Sequence, residues 1–128
     1  MARVLIAEPE PDLRLLAEQA VLELGHEPVL LGAHTAGAPV DVLLLATSAD
    51  AVAIARAHRR DDPGLPIVCL GTLSASAEIR RLEPVAHLLK PYTLTDLARA
   101  LTRAVAIHRQ STRTGTPIAR RGNQPPAP

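Results

Sequence analysis

Short apolar runs along the chain have the length and composition of buried β-strands. They lie at residues 3–7, 41–46, 65–70 and 85–89, and a weaker run lies at 28–31. Because both faces of each run are apolar, the pattern is typical of parallel strands covered by helices on two sides, rather than of strands with one face in water.

Between these runs, apolar residues recur at intervals of three and four, which predicts amphipathic helices. The first helix begins at Asp12, with Pro11 as its entry and Gly25 as its exit. A second helix follows the third strand, is capped by Ser48 or Asp50, and ends at about Arg60.

A short helix is predicted over residues 76–82, and a last helix begins after the expected cap Thr95. The residues expected on the inner side of the last helix are Leu97, Leu101, Ala104, Val105 and His108.

The alternation of strands and helices predicts a doubly wound, five-stranded parallel α/β sheet of flavodoxin-like order 2-1-3-4-5. Only residues 32–40 join the second and third strands. A helical crossover needs a dozen or more residues, so we expect this helix to be missing or reduced to a loop.

The length of 128 residues allows one domain, which we place at residues 1–108. The charges that sum to +1 are unevenly distributed along the chain. Residues 1–108 carry thirteen acids and ten bases, whereas residues 109–128 carry four arginines and no acid. The second segment is rich in Pro, Gly, Ser and Thr, so we expect a basic, disordered tail there.

The single cysteine, Cys69, lies inside an apolar run and excludes an internal disulfide. We interpret it as a small buried residue in a reducing compartment. No apolar stretch approaches the roughly 20 residues that span a bilayer, and no signal peptide is evident. We therefore expect a cytoplasmic protein that does not contact a membrane.

Four segments, taken together, resemble the receiver domain of bacterial two-component response regulators. They are residues 4–14 (VLIAEPEPDLR), 41–46 (DVLLLA), 65–71 (LPIVCLG) and 88–92 (LLKPY). Each is common alone, but their order and spacing are fairly specific. The resemblance covers residues 2–107 and implies the same fold as the strand pattern.

In that family, two acids after the first strand and an aspartate ending the third strand hold Mg²⁺, and the aspartate accepts a phosphoryl group. The resemblance places the acid pair on Glu8 and Pro9 and the acceptor aspartate on Ala46. The Ser or Thr that grips the phosphoryl group falls on Gly71, with Thr72 one place too late.

The family lysine falls on Lys90, followed by Pro91 in a peptide bond that is cis in most family members. Two interpretations of Lys90 remain open. It forms an ion pair with Glu8, or its aliphatic stem covers apolar surface while its ammonium group reaches water.

A methyl group cannot attack phosphorus, so we expect no phosphorylation at Ala46. Glu8 alone offers too few oxygen ligands for Mg²⁺, and we expect neither a metal nor another cofactor. Asp50, four residues beyond Ala46, is a candidate for a displaced acceptor, but a capping role explains it more simply. The histidines at 26, 34, 58, 87 and 108 show no metal-ligand spacing.

The leading hypothesis is a non-enzymatic signalling module, independent of phosphorylation, whose state is set by a protein partner, a ligand or its own concentration. In relatives, the fourth helix, fifth strand and fifth helix form the face for dimerisation and output. The resemblance implies a similar interaction face, and a homodimer through it, from Glu78, Arg81, His87, Arg99 and Arg103.

Two alternatives remain open. One is enzymatic activity or small-ligand binding at the carboxyl ends of the strands, near Glu8, Thr72 and Lys90. It is weakened because no Gly-rich phosphate motif and no nucleophile-base pair is evident. The other is a DNA-associated regulator acting through Arg113, Arg120 and Arg121, although a tail without aromatic residues would bind nucleic acid only weakly.

Overall fold

The computed structural model describes residues 1–31, 39–71 and 77–114, the side chains of 111–114 excepted. The elements in chain order are β1 (Arg3–Ala7), α1 (Pro11–Glu23), β2 (Glu27–Leu30), β3 (Val42–Ala46), α2 (Ala49–Asp61), β4 (Ile67–Gly71), α3 (Ala77–Arg81), β5 (Ala86–Leu89) and α4 (Leu94–Thr114). In the parts described, no helix is both long and apolar enough to cross a membrane.

The five strands form one parallel sheet of order β2-β1-β3-β4-β5, as the sequence predicts. Two apolar layers hold the helices to it. One layer joins the sheet to α1 and α4 and includes Val4, Val21 and Leu101. The other joins the sheet to α2 and α3 and includes Leu43, Ala55 and Ile79. The apolar faces are buried on both sides, which explains why the strand sequences show no polar alternation.

The ends of α1 and α2 follow local chain chemistry. Proline at the start of α1 costs no internal hydrogen bond, and Gly25 leaves the helix with a φ of 81°. For α2, the sequence left Ser48 and Asp50 as alternative caps. Ser48 is the cap, because its Oγ accepts a hydrogen bond from the Ala51 amide at 3.2 Å.

The expected cap of the last helix, Thr95, is wrong by two residues. Thr93 Oγ1 accepts a hydrogen bond from the Asp96 amide at 3.1 Å, and the Asp96 carboxylate accepts one from the Thr93 amide at 3.0 Å. This reciprocal pair is a capping box, and its hydrogen bonds lower the pKa of Asp96. Helix α4 therefore begins at Leu94.

Helix α4 also ends later than the sequence predicts. It continues to Thr114, so residues 109–114, assigned to the disordered tail, extend the helix instead. The rest of that tail, from 115 onward, lies outside the described residues, as do residues 32–38 of the expected loop at 32–40. His108, expected on the inner side of α4, lies with its Nε2 3.4 Å from Asp41 Oδ1 and so connects α4 to the start of β3.

Candidate functional site

The carboxyl ends of β1, β3, β4 and β5 meet at one edge of the sheet, where doubly wound folds bind ligands. Strand register brings Glu8, which follows β1, beside Ala46 at the end of β3. Gly71 ends β4, and its carbonyl accepts a 2.6 Å hydrogen bond from the Lys90 amide. These four residues of the predicted pocket are therefore neighbours in space. Pro91 follows Lys90 directly, and Thr72, the remaining residue of that pocket, lies outside the described residues.

Glu8 and Lys90 form an ion pair across this edge, as the first of the two interpretations of Lys90 predicts. Lys90 Nζ lies 3.5 Å from Glu8 Oε1, and the Glu8 side chain is 0% exposed. Glu8 Oε2 accepts a hydrogen bond from the Glu10 amide at 3.1 Å. Oε1 has a nearby charge but no hydrogen bond, which leaves a buried oxygen with unused acceptor capacity. The Lys90-Pro91 peptide bond is cis.

Ala46 lies at the centre of the edge and is 4% exposed. Its methyl group packs with Leu45 and Ala51 in the layer beneath α2. The side chain offers neither a nucleophile nor a metal ligand to the surrounding groups.

Thr47, which the sequence did not single out, is a further residue of the site. A Cβ added at Gly71 would overlap Thr47 Oγ1 and lie 3.0 Å from Thr47 Cγ2. It would also lie 3.3 Å from His87 Nε2. Thr47 thus fills the space where a Ser or Thr at position 71 would project. Only the absence of a side chain at Gly71 signalled this packing, and the sequence alone does not show what replaces it.

His87 reaches this site from β5. It is partly buried, and its Nε2 has no hydrogen-bond partner. Although Thr47 and His87 approach the same point, no hydrogen bond joins the hydroxyl to Nε2, so they do not form an activated nucleophile-base pair.

The Mg²⁺ ion implied by the resemblance does not fit these residues. Pro9 and Ala46 supply no side-chain oxygen, and Glu8 is already engaged by Lys90 and the Glu10 amide. Mg²⁺ requires a near-octahedral set of oxygen ligands. Over the residues that the structure describes, no cluster of three His, Cys, Asp or Glu side chains could hold a metal ion.

The residues of the predicted interaction face are distributed around the β5 edge. Arg81 on α3 is exposed, as are Arg99 and Arg103 on α4, while His87 points into the site described above. Glu78 Oε2 accepts a 2.6 Å charged hydrogen bond from Arg56 Nη2, which draws it toward α2. Among the described residues none of the three arginines forms an ion pair, although the charge of Arg99 acts on the nearby Asp96 carboxylate. Asp50, the displaced-acceptor candidate, is exposed in the first turn of α2.

No family model and no curated protein matches the chain. Several solved structures, however, superpose on the chain. NtrX from Brucella abortus in complex with ADP superposes with a TM-score of 0.75 at 22% identity, covering 88% of this chain and 28% of that one. A response regulator from Thermotoga maritima gives 0.69 at 14% identity, covering 83% and 98%.

The chemotaxis protein CheY4 from Vibrio cholerae gives a TM-score of 0.70 at 20% identity, covering 81% of this chain and 98% of that one. The chain thus spans about 28% of the NtrX length but nearly all of the shorter proteins. The strand order, the meeting of four strand ends at one edge and the similar solved structures all indicate the same fold. The chain has the receiver-domain fold of bacterial response regulators.

Proposed function

We propose that this chain is a regulatory module of the response-regulator type that acts through protein contacts without being phosphorylated. The observation that carries the proposal is Ala46, a methyl group where the family resemblance places the phosphoacceptor carboxylate. Transfer of a phosphoryl group to a protein needs a nucleophilic side chain, and the methyl group at position 46 is not one.

The surroundings of Ala46 support the same proposal. Lys90, which would grip a phosphoryl oxygen, already lies 3.5 Å from Glu8. The position expected to carry a hydroxyl is Gly71, whose space is filled by Thr47. Each group that would receive the phosphoryl group is either replaced or engaged with a neighbour.

We further propose that the module is not an enzyme and that its output passes through the arginines at the β5 edge. Arg99 and Arg103 are exposed on α4 and lie one turn apart, where their charges add. No ion pair within the described structure neutralises either of them. The positive charge of this patch is complementary to a protein partner with an acidic surface. We propose that this protein and its partner meet in the cytoplasm.

Amide NMR spectra with beryllofluoride and Mg²⁺ test the phosphorylation part of the proposal. We expect no saturable shifts, while a receiver domain with an intact acceptor, run in parallel, should shift. The variant Ala46→Asp combined with Pro9→Asp restores the carboxylates and serves as a gain-of-response control. Saturable shifts around Ala46 in the unaltered protein would refute the proposal.

The interaction part is tested separately by sedimentation of the protein. If the arginine face joins two copies, Arg99→Glu with Arg103→Glu should weaken the dimer, whereas Arg60→Glu, an exposed change on α2, should not. If the protein stays monomeric at all concentrations, this face does not join two copies. Titration with an acidic peptide then shows whether the face binds another partner: saturable binding that Arg99→Glu with Arg103→Glu weakens would support it, and no binding would contradict it.

A further inference from the structure

A groove of about 670 Å³ opens at the carboxyl edge of the sheet, beside β1, β2 and the first turns of α2. It lies on the other side of Glu8 from Lys90, since neither Lys90 nor Gly71 lines it. Its volume is in the range of small-molecule sites, roughly 300–1,000 Å³. The apolar part of its lining includes Ile6, Pro9, Leu30, Leu31, Ala51 and Ile54.

The cation of this lining is Arg14, on the first turns of α1. Arg14 is half-buried, and among the described residues no carboxylate lies within ion-pair distance of its guanidinium. A guanidinium beside apolar walls is a strong donor for a carboxylate, a sulfonate or a phosphate.

The remaining polar groups of the groove differ in whether a ligand could reach and bind them. Ser48 Oγ is used by the Ala51 amide, and Asp50 is exposed. Glu8 also lines the groove, but its side chain is 0% exposed and its Oε1 lies 3.5 Å from Lys90 Nζ, away from the groove, so it offers a ligand no accessible acceptor. Arg14 is therefore the donor in this lining that a ligand can use.

We propose that this groove binds a small amphipathic anion, with an apolar body between β2 and α2 and its acidic group on Arg14. The apolar lining and the Arg14 guanidinium point to one ligand because they share one groove. This site goes beyond the proposed signalling role and does not depend on it, since neither Ala46 nor the arginine face takes part.

Anilinonaphthalene sulfonate is a suitable probe, because it carries an apolar ring system and an anion, and it fluoresces when buried. We expect saturable binding with one site per chain. Arg14→Gln should weaken binding about tenfold, and Ile54→Trp, which fills the groove from a half-buried position, should abolish it. Arg60→Gln removes an exposed arginine outside the groove and should leave the affinity unchanged.

This probe also binds partly folded proteins, so each variant must first show a cooperative urea transition. Amide NMR then locates the probe, and we expect the largest shifts at Arg14, Leu31 and Ile54. The absence of saturable binding, or equal affinity in Arg14→Gln and the unaltered protein, would overturn the proposal. Shifts centred on α4 would overturn it as well.

Discussion

Lys90 Nζ lies 3.5 Å from Glu8 Oε1, and this ion pair spans the ends of the first and fifth strands at the centre of the sheet edge. The two partners differ in their surroundings, because the Glu8 side chain is 0% exposed and that of Lys90 is 22% exposed. The carboxylate therefore depends on the ammonium for compensation, whereas the ammonium retains some contact with water.

Lys90→Met should lower the free energy of unfolding by about 1–3 kcal/mol, since it leaves the Glu8 carboxylate buried without its cation. Glu8→Gln should cost less, because Lys90 can still reach water. Urea unfolding followed by circular dichroism measures both. The double variant should be less destabilised than the sum of the two single changes, and additive effects would show that the pair does not interact.

Gly71→Ala should destabilise the fold by about 1–2 kcal/mol, because the added methyl group meets Thr47. The matched variant Thr47→Ala removes the obstructing atoms, so the double change should recover most of the loss. Thermal unfolding of the four proteins provides the comparison. If Gly71→Ala is as stable as the unaltered protein, Thr47 must turn toward solvent at little cost.

Cys69 is fully buried, and burial raises the pKa of its thiol to about 11 from a reference value of 9.0. The thiol should therefore not react with Ellman's reagent at neutral pH until the protein is unfolded. Because the folded pKa is the higher one, the stability contributed by the neutral thiol is complete below pH 9 and is lost as the pH rises toward 11. Cys69→Ala should weaken this alkaline dependence, and rapid labelling of the folded protein would contradict the assignment.

Tyr92 carries a buried hydroxyl with no hydrogen-bond partner. Tyr92→Phe should therefore leave stability unchanged or raise it by about 1 kcal/mol, since the desolvated oxygen is removed and the ring is kept. Burial, followed by the charges of Glu8 and Glu10, raises the pKa of Tyr92 to about 12. Tyr92 is the single aromatic residue, so alkaline absorbance titration reports it alone. Ionisation near pH 10 in the folded state would contradict its burial.

Much of the fold could be predicted because local patterns and tertiary packing agree. The run at residues 3–7 and the Pro11 and Gly25 signals around the first helix correspond to β1 and α1 within a residue or two. The start of α4 was misplaced because two adjacent threonines, Thr93 and Thr95, both suit a cap. Only the reciprocal bond to Asp96 distinguishes them.

The end of α4 could not be predicted, since residues 109–114 have weak helix signals and gain their helical form by extending a helix that is packed further back. At the site, sequence position alone brought Glu8, Ala46, Gly71 and Lys90 together, because strand ends of a parallel sheet share an edge. It missed Thr47, whose role depends on a side-chain direction that no spacing rule supplies.

The packing of Thr47 over Gly71 also limits how this chain could change over evolutionary time. A serine or threonine at position 71 would meet space that Thr47 occupies, so it would fit only with a smaller side chain at position 47. Substitutions at positions 47 and 71 are therefore expected to occur together.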